Sequence, residues 1–129
     1  MKRIRKFQND LYIIKRAERD ENGNKITIQV ELNPSNEIFK GHFPGNPILP
    51  GVCTIQILKE LLMDQTGENL ILAKAATIKY LSFINPDVNN KVNFDIELKK
   101  IENGQLFCNA SVYFESVVFC SFKGEFRVL

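Results

Sequence analysis

One segment of this chain has the apolar spacing of a helix, and it stands among segments whose apolar residues recur every second position. Across residues 52–66, at 100° per residue from Gln56, the side chains Ile57, Leu61, Leu58, Leu62 and Ile55 fill an arc from about 100° to 260°. Lys59, Glu60, Met63, Asp64 and Thr66 share the other side with Gln56. Gly67 follows, suited to the left-handed position that ends a helix. Elsewhere the period is two. Ile26, Ile28, Val30 and Leu32 alternate with polar neighbours, as do Val92, Phe94, Ile96 and Leu98, and Leu106, Cys108, Ala110, Val112 and Phe114.

Turn chemistry divides these runs. Residues 11–18 are rich in strand formers, and Glu21-Asn22-Gly23-Asn24 closes them on the next strand as an opening hairpin. Residues 71–84 read as a long, well-buried strand ended by Pro86, which interrupts a ladder. Asn103-Gly104 and the weaker Glu115-Ser116 complete a run of four antiparallel strands, the last covering residues 117–122. One helix and about six strands with a single break in strand order predict an α+β domain over residues 1–129: a curved antiparallel sheet packed around the helix. One sheet leaves helix surface that a second subunit can cover.

With 129 residues, 44% of them apolar and 25% charged, the chain is long enough for one core without disulfides or a structural metal. No apolar run nears the roughly 20 residues that cross a bilayer, and the basic start is followed by no apolar signal core. Neither a membrane role nor secretion is expected. Cys53, Cys108 and Cys120 have no metal-ligand spacing and are odd in number. Free thiols in a reducing, cytoplasmic compartment fit them. Cys53 falls in the first helical turn, where the dipole favours a thiolate, but a small buried hydrophobe is the favoured reading.

A net charge of +2 is too small to suggest a nucleic-acid partner. Its distribution is uneven: residues 1–19 hold seven basic side chains against Asp10 and Glu18, a local +5, so the remainder carries −3. This is either a solvated terminus or a docking patch for an acidic partner.

The segment Gly41-His42-Phe43-Pro44-Gly45-Asn46-Pro47-Ile48-Leu49-Pro50-Gly51 leads into the helix. Prolines at every third position stiffen it, and Phe43, Ile48 and Leu49 read as packed. It carries the chain's single histidine, His42. A lone imidazole held by a rigid loop is placed as a general base needs to be. Gly51 opens the helix, where unpaired N–H groups approach a ligand oxygen with no β-carbon in the way. Base and oxyanion donor stand nine residues apart. A structural imidazole is the plainer alternative.

Residues 41–52, Gly-His-Phe-Pro-Gly-Asn-Pro-Ile-Leu-Pro-Gly-Val, resemble the signature of the hot-dog-fold (3R)-hydroxyacyl-acyl carrier protein dehydratases, with a weaker echo at Phe83-Ile84-Asn85-Pro86. The resemblance implies a hot-dog fold and cofactor-independent, metal-free dehydration of acyl groups borne on acyl carrier protein. It further implies a homodimer, or a trimer of dimers, whose sites take residues from both subunits. By it His42 is the catalytic base, and Gly51 N–H polarises the thioester carbonyl. Phe43, Pro50 and Val52 line the substrate.

One departure stands out. The family places Glu or Asp fourteen residues after the histidine, where this chain has Gln56, and commonly Gln one turn later, where this chain has Glu60. Acid and amide are exchanged. Dehydration needs a base for the C2 proton, a donor to the enolate oxygen and a proton for the departing hydroxyl, and a glutamine amide delivers no proton at neutral pH. Three outcomes are open. Gln56 orients the hydroxyl while His42 returns the same proton; Glu60 reaches the site; or the site binds acyl chains or carrier protein without turnover, or hydrolyses a thioester. Dehydration of (3R)-3-hydroxyacyl thioesters is the leading expectation.

Overall fold

The computed structural model describes residues 6–41 and 45–129, and of residues 100 and 101 the backbone alone. The hairpin of β1 (Tyr12–Arg19) and β2 (Lys25–Leu32) comes first. Its turn is held by the Asp20 carboxylate, which accepts from the N–H of Asn24 at 2.9 Å and of Lys25 at 3.2 Å. A one-turn helix α1 (Ile38–Gly41) and the long helix α2 (Gly51–Thr66) follow. Then come β3 (Leu70–Tyr80), β4 (Lys91–Glu102), β5 (Gln105–Phe114) and β6 (Val117–Val128). The α+β arrangement is the expected one: a six-stranded sheet in the order β1-β2-β4-β5-β6-β3, antiparallel throughout.

The period-two residues form the inner face. Ile28 pairs with Phe94, Ile96 with Ala110 and Val112 with Cys120, and all six are buried. Ile57, Leu58, Leu61 and Leu62 of α2 are at most 1% exposed against that face, and burying each contributes about 1.5–3 kcal/mol. Register shifts in the pairs β1–β2, β3–β6, β4–β5 and β5–β6 increase local twist, which helps the sheet to curl round the helix. At the β4–β5 turn Asn103 and Gly104 both take positive φ, 53° and 76°, the geometry that makes Asn-Gly a hairpin signal. Gly67 ends α2 at φ 74°, its N–H donating to the Met63 carbonyl.

Three expectations about the strands are corrected. The strand read over residues 71–84 as well buried is instead Leu70–Tyr80, and of those residues only Leu70 is buried. It is not the first of four consecutive strands either. β3 crosses to the sheet edge beside β6, while β4 pairs with β2, so among the described residues β3 has a neighbour on one side only. An apolar run does not tell whether its cover lies in the same chain. The last strand runs six residues beyond 122, to Val128.

Glu60 and Met63, assigned to the polar side of the helix, are 0% and 1% exposed. The segment before β1 and the start of β1 fold back over that side: Phe7 packs on the core, and Leu11 and Tyr12 belong to it. A wheel drawn from the helix alone cannot register cover that comes from elsewhere in the chain.

Candidate active site

Buried Ile48 and Leu49 anchor the approach to α2, and Leu49 N–H donates to the Ile84 carbonyl at 2.9 Å. Pro50 is the N-cap residue, with φ −59° and ψ 140°, and it offers no side-chain cap. Its carbonyl accepts from Cys53 N–H at 2.9 Å and Thr54 N–H at 3.4 Å. The N–H groups of Gly51 and Val52 have no acceptor among the described residues, as expected of a first helical turn. His42 and Phe43 lie outside the described residues.

Beside this helix start is an apolar cavity of about 400 Å³ whose walls include Pro50, Gly51, Thr54, Tyr80, Phe119 and Cys120, within the size range of small-molecule sites. A second, of about 280 Å³, runs along the outer side of α2 between Val52, Ile55, Gln56 and Lys59 of the helix and Leu72 and Tyr80 of β3. Tyr80 and Val52 border both. Around the mouths Val52 is 76% exposed, Phe83 76% and Tyr80 53%, a run of apolar surface of the kind that marks an interaction site.

Tyr80 is the residue that the sequence did not single out. Its ring lies across Gly51, with Cζ 2.6 Å from where a β-carbon on residue 51 would stand. Burial first, and then the neighbouring Cys120, push its phenol up from the ordinary value, so the hydroxyl keeps its proton at neutral pH. Nothing in the run Ile78-Lys79-Tyr80-Leu81 distinguishes this tyrosine from an ordinary strand aromatic, since its position follows from where β3 ends.

Gln56 and Glu60 are joined. The Gln56 amide Nε2 donates to Glu60 Oε2 at 2.8 Å. Gln56 is half-buried on the outer groove, and Glu60 lies wholly behind it. The Glu60 carboxylate also accepts from three donors of the N-terminal segment. Phe7 N–H reaches Oε1 at 3.2 Å and Oε2 at 3.1 Å, Gln8 N–H reaches Oε1 at 2.9 Å, and the Tyr12 hydroxyl reaches Oε1 at 3.1 Å. A carboxylate fully out of water is tolerated because its lone pairs are taken up in this way.

The thiols are inert by position. All three are free and buried. Burial pushes Cys108 up to about 12 and Cys120 up to about 11, and raises Cys53 as well. At Cys53 desolvation thus outweighs whatever the helix dipole offers a thiolate. Pro50, Gly51, Val52 and Gln56 are therefore brought together on two adjoining cavities, while Glu60 stands behind Gln56.

The family model for the ApeI dehydratase, described as ApeI-like, matches residues 18–118. The chain is 30% identical over 113 residues to the 3-hydroxyacyl-[acyl-carrier-protein] dehydratase FabZ of Lactobacillus helveticus, covering 82% of this chain and 75% of that protein. With its counterpart in Fusobacterium nucleatum it shares 27% identity over 121 residues, 92% of this chain and 86% of the other. Among solved structures, the dehydratase heterocomplex ApeI:P of Xenorhabdus doucetiae superposes with a TM-score of 0.70 at 20% identity, covering 89% of this chain and 96% of that one. A hypothetical thioesterase with coenzyme A from Streptococcus pneumoniae superposes at 0.62 with 14% identity, covering 92% and 85%. At such identities the structural likenesses carry the fold alone. The matched sequence and the sheet wrapped around α2 agree, and the chain belongs to the ApeI-like dehydratase family, hot-dog-fold lyases related in sequence to the FabZ dehydratases.

Proposed function

We propose that this dehydratase converts (3R)-3-hydroxyacyl thioesters, carried on acyl carrier protein, into trans-2-enoyl thioesters and water in fatty-acid or related acyl-chain synthesis. The observation that carries the reading is the apolar cavity opening at the N–H groups of Gly51 and Val52, which have no acceptor among the described residues. An acyl chain is matched by the apolar wall, and a thioester oxygen by the N–H groups. Val52 and Pro50 flank the bound acyl group, with Phe43 assigned to the same lining from the signature.

In the reaction His42 takes the C2 proton. The C–H electron pair moves to form an enolate whose oxygen rests on Gly51 N–H, as such donors do for developing charge. The enolate collapses to the C2=C3 double bond, and the C3–O bond breaks. Gln56 holds the leaving hydroxyl, and the proton on His42 goes to it, so water departs and the imidazole is regenerated. No cofactor, metal, oxidant or reductant enters this balance. The absent helix acid is worth about 10²- to 10⁴-fold in rate, so turnover is slow for this chemistry.

Two copies of the chain make the working unit. The outer side of β3 is an edge with no partner strand among the described residues, with Ile71 and Leu72 each 40% exposed, and it borders the groove that ends at Val52 and Tyr80. An open apolar edge of this kind calls for a covering strand. A second copy covers it and completes the site, as a dimer or a trimer of dimers. The basic N-terminal segment is the docking surface for the acidic carrier protein, and the buried free thiols fit a cytoplasmic location.

Incubating the protein with 3-hydroxyacyl thioesters of several chain lengths tests the reading. Enoyl product that is lost in His42→Ala supports it, and no product at any length overturns it. A second reading, a binding module without turnover, is favoured by one feature: the helix residue facing the groove, Gln56, has no proton to give. Tight acyl-thioester binding without product is its signature.

A further inference from the structure

We propose that Glu60 is a positioning residue that turns the Gln56 amide so that its carbonyl oxygen, and not its nitrogen, is what α2 offers to a substrate. The inference uses the dehydration reading for the identity of that substrate, but the geometry stands without it.

A primary amide has a donor end and an acceptor end on opposite sides of one planar group, and the Glu60 oxygens, which take the Phe7 and Gln8 N–H groups and the Tyr12 hydroxyl, act as acceptors. A 2.8 Å contact with Glu60 Oε2 therefore requires the nitrogen of Gln56 to face inward. Glu60 itself cannot turn away. It is 0% exposed, and the Phe7 and Gln8 N–H groups and the Tyr12 hydroxyl hold its other lone pairs at 2.9–3.2 Å. The chain of constraint runs from the N-terminal segment to Glu60, and from Glu60 to Gln56. At its end the amide oxygen is left for the groove bordered by Val52, Ile55, Lys59, Leu72 and Tyr80.

The exchange of acid and amide along the helix is thus not a relocated acid. The carboxylate is committed to orientation, and the front group accepts a hydrogen bond from a substrate hydroxyl. That fixes the direction of the C3–O bond. The proton that makes hydroxide a leaving group has to come from outside the helix.

The side-chain amide of Gln56 in the full chain reports this directly by 1H–15N NMR, its signal being identified by its loss in Gln56→Met. Hydrogen exchange slowed at least tenfold relative to free glutamine is expected, with the protection lost in Glu60→Gln. Exchange at the free rate overturns the proposal. Should Glu60→Gln not fold, the wild-type exchange rate still decides. Where the variant folds, kcat falls about tenfold with KM within twofold, and the wild-type pH–rate profile shows no carboxylate limb. A carboxylate limb that vanishes in Glu60→Gln makes Glu60 itself the proton donor and overturns the proposal. A protected amide in a protein that forms no enoyl product leaves the positioning role standing and removes the dehydration reading.

Discussion

Tyr80 and Gly51 share one volume: a β-carbon on residue 51 would lie 2.6 Å from Cζ, 2.7 Å from Cε1 and 3.0 Å from the hydroxyl oxygen of Tyr80. The ring lies against the helix start and borders both the cavity beside Gly51 and the groove beside Gln56. Because Tyr80 is 53% exposed, its ring can swing aside.

Gly51→Ala is therefore a test of the site more than of the fold. Alanine gains up to about 1 kcal/mol over glycine in a helix, which offsets the displaced ring. The melting temperature should stay within about 5 °C of wild type. Dehydration should fall about tenfold or more, since shifting the ring and crowding the N–H disturbs both cavities. Thermal melts beside initial rates check this, and full activity in the variant refutes it.

Gly124 behaves in the opposite way. A β-carbon there meets the Lys74 backbone carbonyl at 2.5 Å and the Phe122 ring at 2.6 Å. Backbone cannot step aside as a half-exposed ring can. Gly124→Ala should cost about 1–3 kcal/mol and loosen the pairing of β3 with β6. Denaturant unfolding gives the loss, and hydrogen exchange should place it in Leu70–Tyr80.

Gln56→Glu sets two carboxyl groups about as close as the amide and Glu60 now stand, 2.8 Å between atoms. Like charges so near share one proton. The introduced carboxyl then supplies the proton that Gln56 lacks, and turnover should rise about 10- to 100-fold. Its folded pKa is raised, so its stabilising contribution is present below the ordinary carboxylate value of about 4.3 and is lost as pH rises. Relative to wild type, the variant should be weaker at pH 7 than at pH 4. Rates and melts at the two pH values check both statements.

The thiols carry a pH signature of their own. Cys108 and Cys120 are raised by burial from 9.0 to about 12 and about 11. Below pH 9 folded and unfolded states both hold these protons, so stability is unaffected. Between pH 9 and 11–12 the unfolded chain releases them and the folded chain does not, so stability falls as pH rises. Alkylation should likewise be slow in buffer and rapid in denaturant. Fast modification of the folded chain at neutral pH would contradict the buried positions.

Much of the fold was legible from local pattern. The alternation from Ile26 to Leu32 gives β2 its observed bounds, Lys25–Leu32, and the helix read from Val52 begins one residue earlier, at Gly51. Asn103-Gly104 takes the two positive φ angles its composition demands. Of the candidate site, Pro50, Gly51, Val52 and Gln56 do gather on adjoining cavities. Tyr80 was not legible, nor was the exposure of β3, because each depends on which strand lies alongside.

By itself the sequence determined the periods, the turns and the signature that leads into α2, since all of these are relations among neighbours in the chain. Tertiary structure alone decided what covers what. Glu60 has the spacing of a solvated helix residue, yet residues 48 to 53 positions away, Phe7 and Gln8 before β1 and Tyr12 at its start, supply three of its hydrogen-bond donors. Burial is a sum over everything packed nearby, and contacts at that separation leave no trace in a local pattern.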